Sequence, residues 1–180
     1  ANNDEVFVYM GGDMIVPQDV VRVRVHPSVT VIPEYGFCLV DGDSIHDRTK
    51  LEEVELCEGL LEIGKRAFVD CTSLKRIKIP STVTVIHESA LLDCDKLEEV
   101  ELFEGLLEIG ECAFCRCFKL NHIAIPTTVQ QIGESAFAWS KLLSMNFPDG
   151  GIENIGPQIY PFWGCQFTKF RLPILIKTIP

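Results

Sequence analysis

Residues Leu51–Ser73 read LEEVELCEGLLEIGKRAFVDCTS, and almost the same stretch, LEEVELFEGLLEIGECAFCRCFK, returns at Leu97–Lys119. Between them, Leu74–Lys96 reads LKRIKIPSTVTVIHESALLDCDK and keeps the apolar positions while its polar residues differ. With a fourth copy from Leu120, the starts of the copies are ~23 residues apart, a period typical of repeat proteins. The sequence therefore predicts a solenoid of stacked coils rather than one globular core.

Each unit combines a short strand with a tight reversal of the chain. In LEEVEL, Leu51, Val54 and Leu56 are apolar and acidic residues stand between them, which is the pattern of a strand with one buried face. Gly59 and Gly64 then indicate turns that need unusual backbone angles. We expect the strands to stack as a parallel sheet on one face. Short helical or 3-10 turns and irregular segments are expected to form the other face.

The pattern LxxIxIPxxVxxIxxxAFxxCxxL, carried by residues 51–74 and 120–137, resembles the BspA-like, or treponemal-type, leucine-rich repeat. The resemblance extends from about Val20 to Leu172. It implies a right-handed leucine-rich repeat solenoid without intrinsic catalytic activity, used in protein binding or surface adhesion. We therefore expect a non-enzymatic protein-interaction module that presents a repeat-built sheet face to a protein partner. The alternative is a structural or adhesive repeat segment of a larger surface protein, and the fold alone does not decide between the two.

The repeats predict one continuous domain with modified ends. Residues 1–19 are expected to form an N-terminal cap, because the end of a solenoid exposes its core. Repeats occupy 20–173, and the polar stretch at 41–50, DGDSIHDRTK, is interpreted as a surface insertion. Residues 174–180 are expected to be a truncated or capping end. The chain starts without Met and ends part-way through a repeat, which we interpret as a piece of a longer protein.

Composition and charge narrow the classes of partner. The chain has 180 residues and a formal net charge of −10, which disfavours attraction to nucleic acid or to an anionic membrane. No apolar run approaches the ~18 residues of a membrane span, and the start shows no secretory signal. The eight cysteines show no obvious pairing, which favours a reducing compartment, although the family that the chain resembles also has surface members.

The outward positions of the strands form the candidate protein-binding face. Ten residues are predicted to lie on it: Glu53, Glu55, Arg76, Lys78, Glu99, Glu101, Phe103, His122, Ser144 and Asn146. The first four strands alternate basic and acidic rows, which would lie ~4.8 Å apart. This alternation is either an ion-pair ladder that fixes strand order or a platform for a partner with matching charge stripes. Charge is scarce from Phe103 onward, so a binding patch on this face is predicted at Phe103, His122, Ala124, Ser144 and Asn146.

The charge alternation also groups the coils in pairs. Residues 51–96 and 97–142 are interpreted as one unit of ~46 residues that was duplicated once. The two copies differ on the candidate face, where Arg76 and Lys78 correspond to His122 and Ala124. Function, if it resides on this face, is expected where the copies differ.

Two stretches approach motifs of known chemistry without completing them. The stretch at 59–66, GLLEIGKR, has Arg66 where a phosphate loop needs Ser or Thr, and its copy at 105–112 has an acid in place of the lysine. Residues 41–52 approach a calcium-loop register, but Ile45 fills a ligand position and His46 stands where the loop needs glycine. No catalytic, cofactor-binding or metal-binding residue is therefore predicted.

The cysteines and tryptophans are interpreted mainly as packing residues. The AFxxC position is occupied by Cys71, Cys94, Cys117 and Cys165, which are predicted to form a buried ladder of small side chains. Cys112 and Cys115 form a CxxC, but no second pair stands at the spacing of a zinc site. Trp139 and Trp163 are either packing residues of the irregular last coils or exposed anchors on the convex side.

Overall fold

The computed structural model describes residues 5–41, 44–46, 50–146, 154–155, 162–165 and 169–170. Its regular structure consists of short strands, and no helix occurs among these residues. In chain order the strands are β1 (Val6–Tyr9), β2 (Arg22–Val25), β3 (Val31–Ile32), β4 (Leu39–Asp41), β5 (Ser44–His46), β6 (Glu53–Glu55), β7 (Glu62–Ile63), β8 (Arg76–Lys78), β9 (Val85–Ile86), β10 (Glu99–Glu101), β11 (Glu108–Ile109), β12 (His122–Ala124), β13 (Gln131–Ile132), β14 (Ser144–Asn146), β15 (Asn154–Ile155) and β16 (Lys169–Phe170).

The strand of each LxxIxI segment contributes to a front sheet. Its strands run in the orders β1-β2-β6-β8-β10 and β12-β14-β16, and all of these pairings are parallel. The register aligns Val54 with Val23 on one side and with Ile77 on the other, so equivalent apolar side chains stack along the interior. The parallel sheet of a repeat solenoid, predicted from the period of the sequence, is confirmed.

A second parallel sheet, the back sheet, lies on the other side of the core. It consists of the two-residue strands β3, β7, β9, β11, β13 and β15, one from each coil. The second residue of the first five is a fully buried isoleucine: Ile32, Ile63, Ile86, Ile109 and Ile132. The structure therefore differs from the sequence prediction in one detail, because this face contains short strands and turns where helical or 3-10 turns were expected.

The turn between the back sheet and the next front strand, here called the corner turn (residues 64–71 and their equivalents), explains why no helix forms. In each complete coil two non-glycine residues adopt left-handed angles, for example Arg66 with φ 53° and Asp70 with φ 56°. These angles stop helical hydrogen bonding and point alternate amides along the solenoid axis, so that the Phe68 N–H donates to the Ala90 carbonyl of the next coil at 2.8 Å. A left-handed non-glycine residue costs on the order of 1 kcal/mol, and the hydrogen bonds between coils offset that cost.

One apolar core extends through the described coils. Aromatic rings of the AFxxC segments stack on one another, with centroids 4.6 Å apart for Phe37 and Phe68 and 5.3 Å apart for Phe114 and Phe137. Phe162, three residues before Cys165, continues this column on Phe137 at 5.7 Å. Stacked rings bury a large apolar area at each coil, which holds neighbouring coils together.

Two departures from the regular repeat are visible. Strand β1 pairs in parallel with β2 and so adds a strand at the N-terminal end of the front sheet. Strands β4 and β5 form an antiparallel hairpin where the sequence predicted the start of a surface insertion at 41–50. Residues 1–4, 42–43 and 47–49, and the predicted end segment 174–180, lie outside the described residues, so the limits of cap, insertion and end segment stay predictions.

Candidate interaction face

The front strands carry nine of the ten predicted site residues at their outward positions, and the tenth, Phe103, follows β10. Side chains alternate along each strand, so Val54, Ile77 and Ile123 are buried while their neighbours point to solvent. The exposed members of the predicted set are Glu55, Arg76, Lys78, Glu99, Glu101, His122 and Asn146, and the half-buried members are Glu53, Phe103 and Ser144. Parallel pairing aligns them in rows along the solenoid axis.

Charged residues of the N-terminal half pair with one another across the strands. Arg24 Nε lies 2.6 Å from Glu55 Oε2, and Lys78 Nζ lies 3.4 Å from Glu101 Oε2. The hydrogen bond with Glu55 raises the pKa of Arg24 above its ordinary value. Arg76 lies in register between Glu53 and Glu99. The ion-pair ladder predicted from the alternation is thus present in this half of the face.

A second charged row lies beside the starts of the strands. Lys75 Nζ lies 2.6 Å from Glu52 Oε2, and Lys119 Nζ lies 3.2 Å from Glu98 Oε1. The hydrogen bond from Lys75 lowers the pKa of Glu52 below its ordinary value. These charges are partly neutralised by neighbouring coils, which leaves fewer of them free to attract a charged ligand.

The face changes character between β10 and β14. The Lys78 ammonium lies 5.0 Å from the centroid of the Phe103 ring, a cation–π contact that half covers the ring. His122 Nδ1 lies 2.9 Å from Ser144 Oγ, so the two side chains hydrogen-bond in a direction set by the histidine tautomer. Ala124 and Asn146 are exposed and lie side by side in the register. This patch is polar, aromatic and free of ion pairs among its described residues.

The pairing of the front sheet is interrupted at the same place. Both strands are fully described, yet no backbone hydrogen bond joins β10 to β12, and the sheet continues separately as β12-β14-β16. The back sheet does not share this break, since Glu108 and Ile109 pair with Gln131 and Ile132. The corner turns are joined as well, with the Phe114 N–H donating to the Ala136 carbonyl at 2.7 Å. The two coils thus lack backbone pairing only at the front.

A polar groove marks this separation. It has a volume of about 400 Å³ and is lined by Glu98, Glu99, Lys119, Asn121 and Lys141. The groove begins where β10 and β12 begin, beside the uncharged patch. Sequence reasoning did not predict it, because residues 97–102 repeat residues 51–56 letter for letter although the latter pair normally with the next strand.

The glycines of the incomplete phosphate loop serve the turns of the repeat. Gly59 has a φ of 100°, and a Cβ added to Gly64 would lie 2.4 Å from the Ile32 carbonyl oxygen. Both glycines are therefore needed by the turns and by close packing of coils. Of the calcium-like stretch, Asp43, Asp47 and Thr49 lie outside the described residues. Within the described ranges, no three His, Cys, Asp or Glu side chains converge in a way that could hold a metal ion, and no helix is long and apolar enough to cross a membrane.

Of the cysteines at the AFxxC position, Cys71, Cys94 and Cys117 are buried, as predicted, whereas Cys165 is half-buried. These thiols also act as hydrogen-bond donors. The thiol of Cys94 donates to the Phe68 carbonyl at 3.3 Å, and that of Cys117 to the Leu91 carbonyl at 3.4 Å. Ser140 occupies the same position one coil later and donates to the Phe114 carbonyl at 2.6 Å. Burial raises the pKa of both thiols well above their ordinary value. The donor role of this column explains why serine can replace cysteine there.

The tryptophans lie on the corner turns rather than on the front sheet. Trp139 occupies the left-handed position that Gly164 occupies in the next turn, and its backbone N–H donates to the carbonyl of Trp163 at 2.6 Å. Their side chains are 55% and 53% exposed, which favours exposed anchors over complete packing. Trp139 nevertheless contacts the next turn, where a Cβ added to Gly164 would lie 2.8 Å from its ring.

Comparison with known families identifies the repeat. The model of the BspA type leucine rich repeat region matches residues 42–168 in six copies. No curated protein matches the chain at a significant level.

Solved structures share the fold over most of this chain. A leucine-rich repeat protein from Bacteroides ovatus is 29% identical with a TM-score of 0.56, covering 82% of this chain and 34% of its own. A leucine rich cell surface protein from Faecalibacterium prausnitzii is 25% identical with a TM-score of 0.52, covering 68% and 38% respectively. The pneumococcal vaccine antigen PcpA, 21% identical with a TM-score of 0.60, covers 83% and 34% and shows the fold alone. The chain spans between 34% and 38% of the length of these structures.

Proposed function

The chain belongs to the BspA-type leucine-rich repeat family, and we propose that it is a non-enzymatic protein-interaction module that binds its partner through the front sheet. The family has a non-enzymatic repeat fold, and solenoids present extended surfaces suited to binding other proteins. We place the centre of the binding site at the uncharged patch formed by Phe103, His122, Ala124, Ser144 and Asn146.

The observation that carries this proposal is the change of the front sheet between β10 and β12. On the N-terminal side, charged side chains form ion pairs with one another, as Arg24 does with Glu55. On the C-terminal side, His122, Ala124 and Asn146 are exposed and uncharged, and the sheet pairing is interrupted beside them. Interface cores are depleted of charge and enriched in aromatic residues, so this side is better suited to a partner. The centre of an interface is also where most of the binding energy is concentrated.

The repeat itself suggests substitutions that test this placement. The first pair of coils has Arg76 and Lys78 at the positions where the second has His122 and Ala124. The double variant His122→Arg/Ala124→Lys copies the charged surface onto the patch. The matched control Arg22→His/Arg24→Ala makes the opposite exchange on β2, where the two arginines pair with Glu53 and Glu55 and do not contact Phe103. Proteins captured by the immobilised chain from an extract of its source organism would be compared by mass spectrometry. We expect the first variant to lose the partner that the control retains, with both variants folded by circular dichroism.

Two results would contradict this placement. Retention of the partner by His122→Arg/Ala124→Lys would remove the patch from the interface. Loss of the partner by Arg22→His/Arg24→Ala alone would place the interface on the charged half of the front sheet, where the alternating rows would then be a platform.

A second proposed function is that of a structural or adhesive segment of a larger surface protein. Two observations favour it: the similarity to the Faecalibacterium cell surface protein, and the fact that the chain spans only 38% of the length of that protein's structure. Its test is protease treatment of intact cells of the source organism, followed by detection of peptides such as Leu97–Arg116. Release of these peptides without lysis would support surface display. Release only after lysis would contradict it and favour an internal interaction module.

A further inference from the structure

Cys112 and Cys115 form a pair of neighbouring thiols on one corner turn. The backbone N–H of Cys115 donates to the carbonyl of Cys112 at 3.1 Å, which closes a four-residue turn. The first and last Cα atoms of such a turn lie within 7 Å, and disulfides form between Cα atoms in about the same range. The two side chains are also close enough to share a thiol hydrogen bond. The two sulfur atoms therefore already lie within hydrogen-bonding reach of each other.

This pair differs from the other cysteines of the chain. Thiols of the buried column donate hydrogen bonds to backbone carbonyls, as Cys117 does to Leu91. Cys57 likewise donates to the Val25 carbonyl at 2.8 Å. Cys112 is half-buried and so reachable from solvent, whereas Cys115 is only 8% exposed behind it. The repeat does not require either thiol, because the equivalent positions in the next coil are Ser135 and Ala138.

We propose that Cys112 and Cys115 are a redox modification site, at which a small disulfide oxidant of the glutathione class converts the two thiols into one reversible intrachain disulfide. Cys112 is the sulfur that reacts first, since it is the accessible one, and Cys115 is the resolving thiol. The site is independent of the proposed protein-binding patch, because it lies on the corner turn and not on the front sheet.

The reaction balances as two thiol–disulfide exchanges. The Cys112 thiolate attacks one sulfur of the oxidant, the oxidant's S–S bond breaks, and one small thiol leaves with the proton that Cys112 lost. The Cys115 thiolate then attacks the Cys112 sulfur of the mixed disulfide, and the second small thiol leaves with the proton of Cys115. Two cysteine thiols are oxidised to one disulfide, and one disulfide is reduced to two thiols.

The surroundings of the pair predict a slow reaction and a stable product. Burial, and next the charge of Glu111, raise the pKa of the Cys112 thiol. Burial raises the pKa of Cys115 to about 12. Only a small thiolate fraction is available at neutral pH, which slows the exchange. Strongly oxidising disulfides have a high reduction potential because their reduced, dithiol form is stabilised. The raised pKa values of Cys112 and Cys115 indicate no such stabilisation, so the disulfide should be stable once it has formed.

Trypsin makes the test direct, because cleavage after Lys96 and Arg116 gives the peptide Leu97–Arg116, in which Cys112 and Cys115 are the only cysteines. The reduced full chain would be incubated with oxidised glutathione, quenched in acid, denatured and alkylated with iodoacetamide. It would then be digested with trypsin, and the peptide masses would be measured by mass spectrometry. We expect this peptide to appear without alkyl groups and lighter by two hydrogen atoms, and dithiothreitol to restore both alkylation sites.

Two variants that use residues of neighbouring coils serve as controls. In Cys115→Ala, Cys112 should accumulate as the glutathione mixed disulfide, because no resolving thiol remains. In Cys112→Ser, Cys115 should stay alkylatable. The proposal is overturned if the wild-type peptide keeps two alkyl groups while Cys57 becomes glutathionylated, or if the wild type, like Cys115→Ala, stops at the mixed disulfide.

Discussion

Thr128 hydrogen-bonds to Gly105 across the junction between two coils: the Gly105 N–H donates to the threonine hydroxyl at 3.0 Å. The same hydroxyl donates to the carbonyl of Leu106 at 2.8 Å. One pair of coils earlier, Thr82 makes the same two contacts with Gly59 and Leu60, at 3.0 Å and 2.7 Å. The two copies of the paired coil thus keep one internal junction while their outward residues differ.

Replacement of Thr128 by Val should destabilise the solenoid. The change keeps the shape of the side chain but leaves the Gly105 N–H and the Leu106 carbonyl without this partner, so we expect a loss of about 1–3 kcal/mol in the free energy of unfolding. Urea unfolding measures it. Thr84→Val is the control, because the Thr84 hydroxyl donates to the Leu61 carbonyl at 3.3 Å in an exposed position, and its loss should cost about 0.5 kcal/mol or less. Equal losses in both variants would contradict the role of the junction.

We expect the pKa of the Glu104 carboxyl group to lie below its ordinary value. The Thr127 hydroxyl donates to this carboxylate at 2.7 Å, and that bond, followed by the Thr127 backbone N–H, lowers the pKa of Glu104 from its ordinary value of 4.5. Because the folded-state pKa lies below the unfolded one, the stabilisation is complete above pH 4.5 and disappears as the pH falls through the folded-state value.

The carboxyl carbon of Glu104, followed by NMR during a pH titration, tests this expectation. Thr127→Val should move the pKa of Glu104 back toward its ordinary value, since it removes the largest cause of the shift. Lys75→Met should leave Glu104 unchanged and raise the pKa of Glu52, whose shift depends on Lys75. A Glu104 titration that is the same with and without the threonine hydroxyl would show that this bond does not form in solution.

Position 94 should tolerate serine better than alanine. The thiol of Cys94 donates to the Phe68 carbonyl, and Ser140 supplies the same contact with a hydroxyl in a later coil. Cys94→Ala removes the donor and leaves a small cavity. We therefore expect its free energy of unfolding to be about 1–2 kcal/mol lower than that of Cys94→Ser. Chemical denaturation of the two variants gives the difference. If alanine proved the more stable residue, the column would be purely apolar packing.

Gly110 should not accept a side chain. A Cβ there would lie 2.7 Å from the backbone nitrogen of Glu88 and 2.7 Å from the carbonyl carbon of His87, so neighbouring coils would have to move apart. We expect Gly110→Ala to cost about 1–3 kcal/mol, measured by thermal or urea unfolding. His87 occupies the same position one coil earlier, and His87→Ala, which loses only an exposed contact with Glu62, should cost less than about 1 kcal/mol.

The sequence contained enough information for the solenoid and for its front sheet. The period fixes which residues are equivalent, and alternation within a strand then separates buried Val54 from outward Glu53 and Glu55. The ion pairs followed from the same reasoning, because equivalent residues of parallel strands lie side by side, as Arg24 and Glu55 do.

The corner turns and the interruption of the front sheet could not be predicted in this way. Arg66 and Asp70 adopt left-handed angles that neither residue type indicates, because hydrogen bonds to the next coil impose them. The break between β10 and β12 follows LEEVEL, the same residues that pair normally at β6. The coil that follows differs there, since His122 and Ala124 stand where Arg76 and Lys78 follow β6. Hydrogen bonding by Cys94 was missed because a thiol at a buried position is usually an apolar filler.

The interrupted front sheet removes strand hydrogen bonds from one side of this junction only. Rotation that moves β12 away from β10 breaks no strand hydrogen bond there, whereas the opposite rotation must pull β13 from β11 and part the amide of Phe114 from Ala136. Opening at the front is opposed by side-chain contacts instead, such as the bond from the Thr127 hydroxyl to Glu104. We therefore expect the junction to open more readily on the face than on the back, which would change the curvature of the array at this one place.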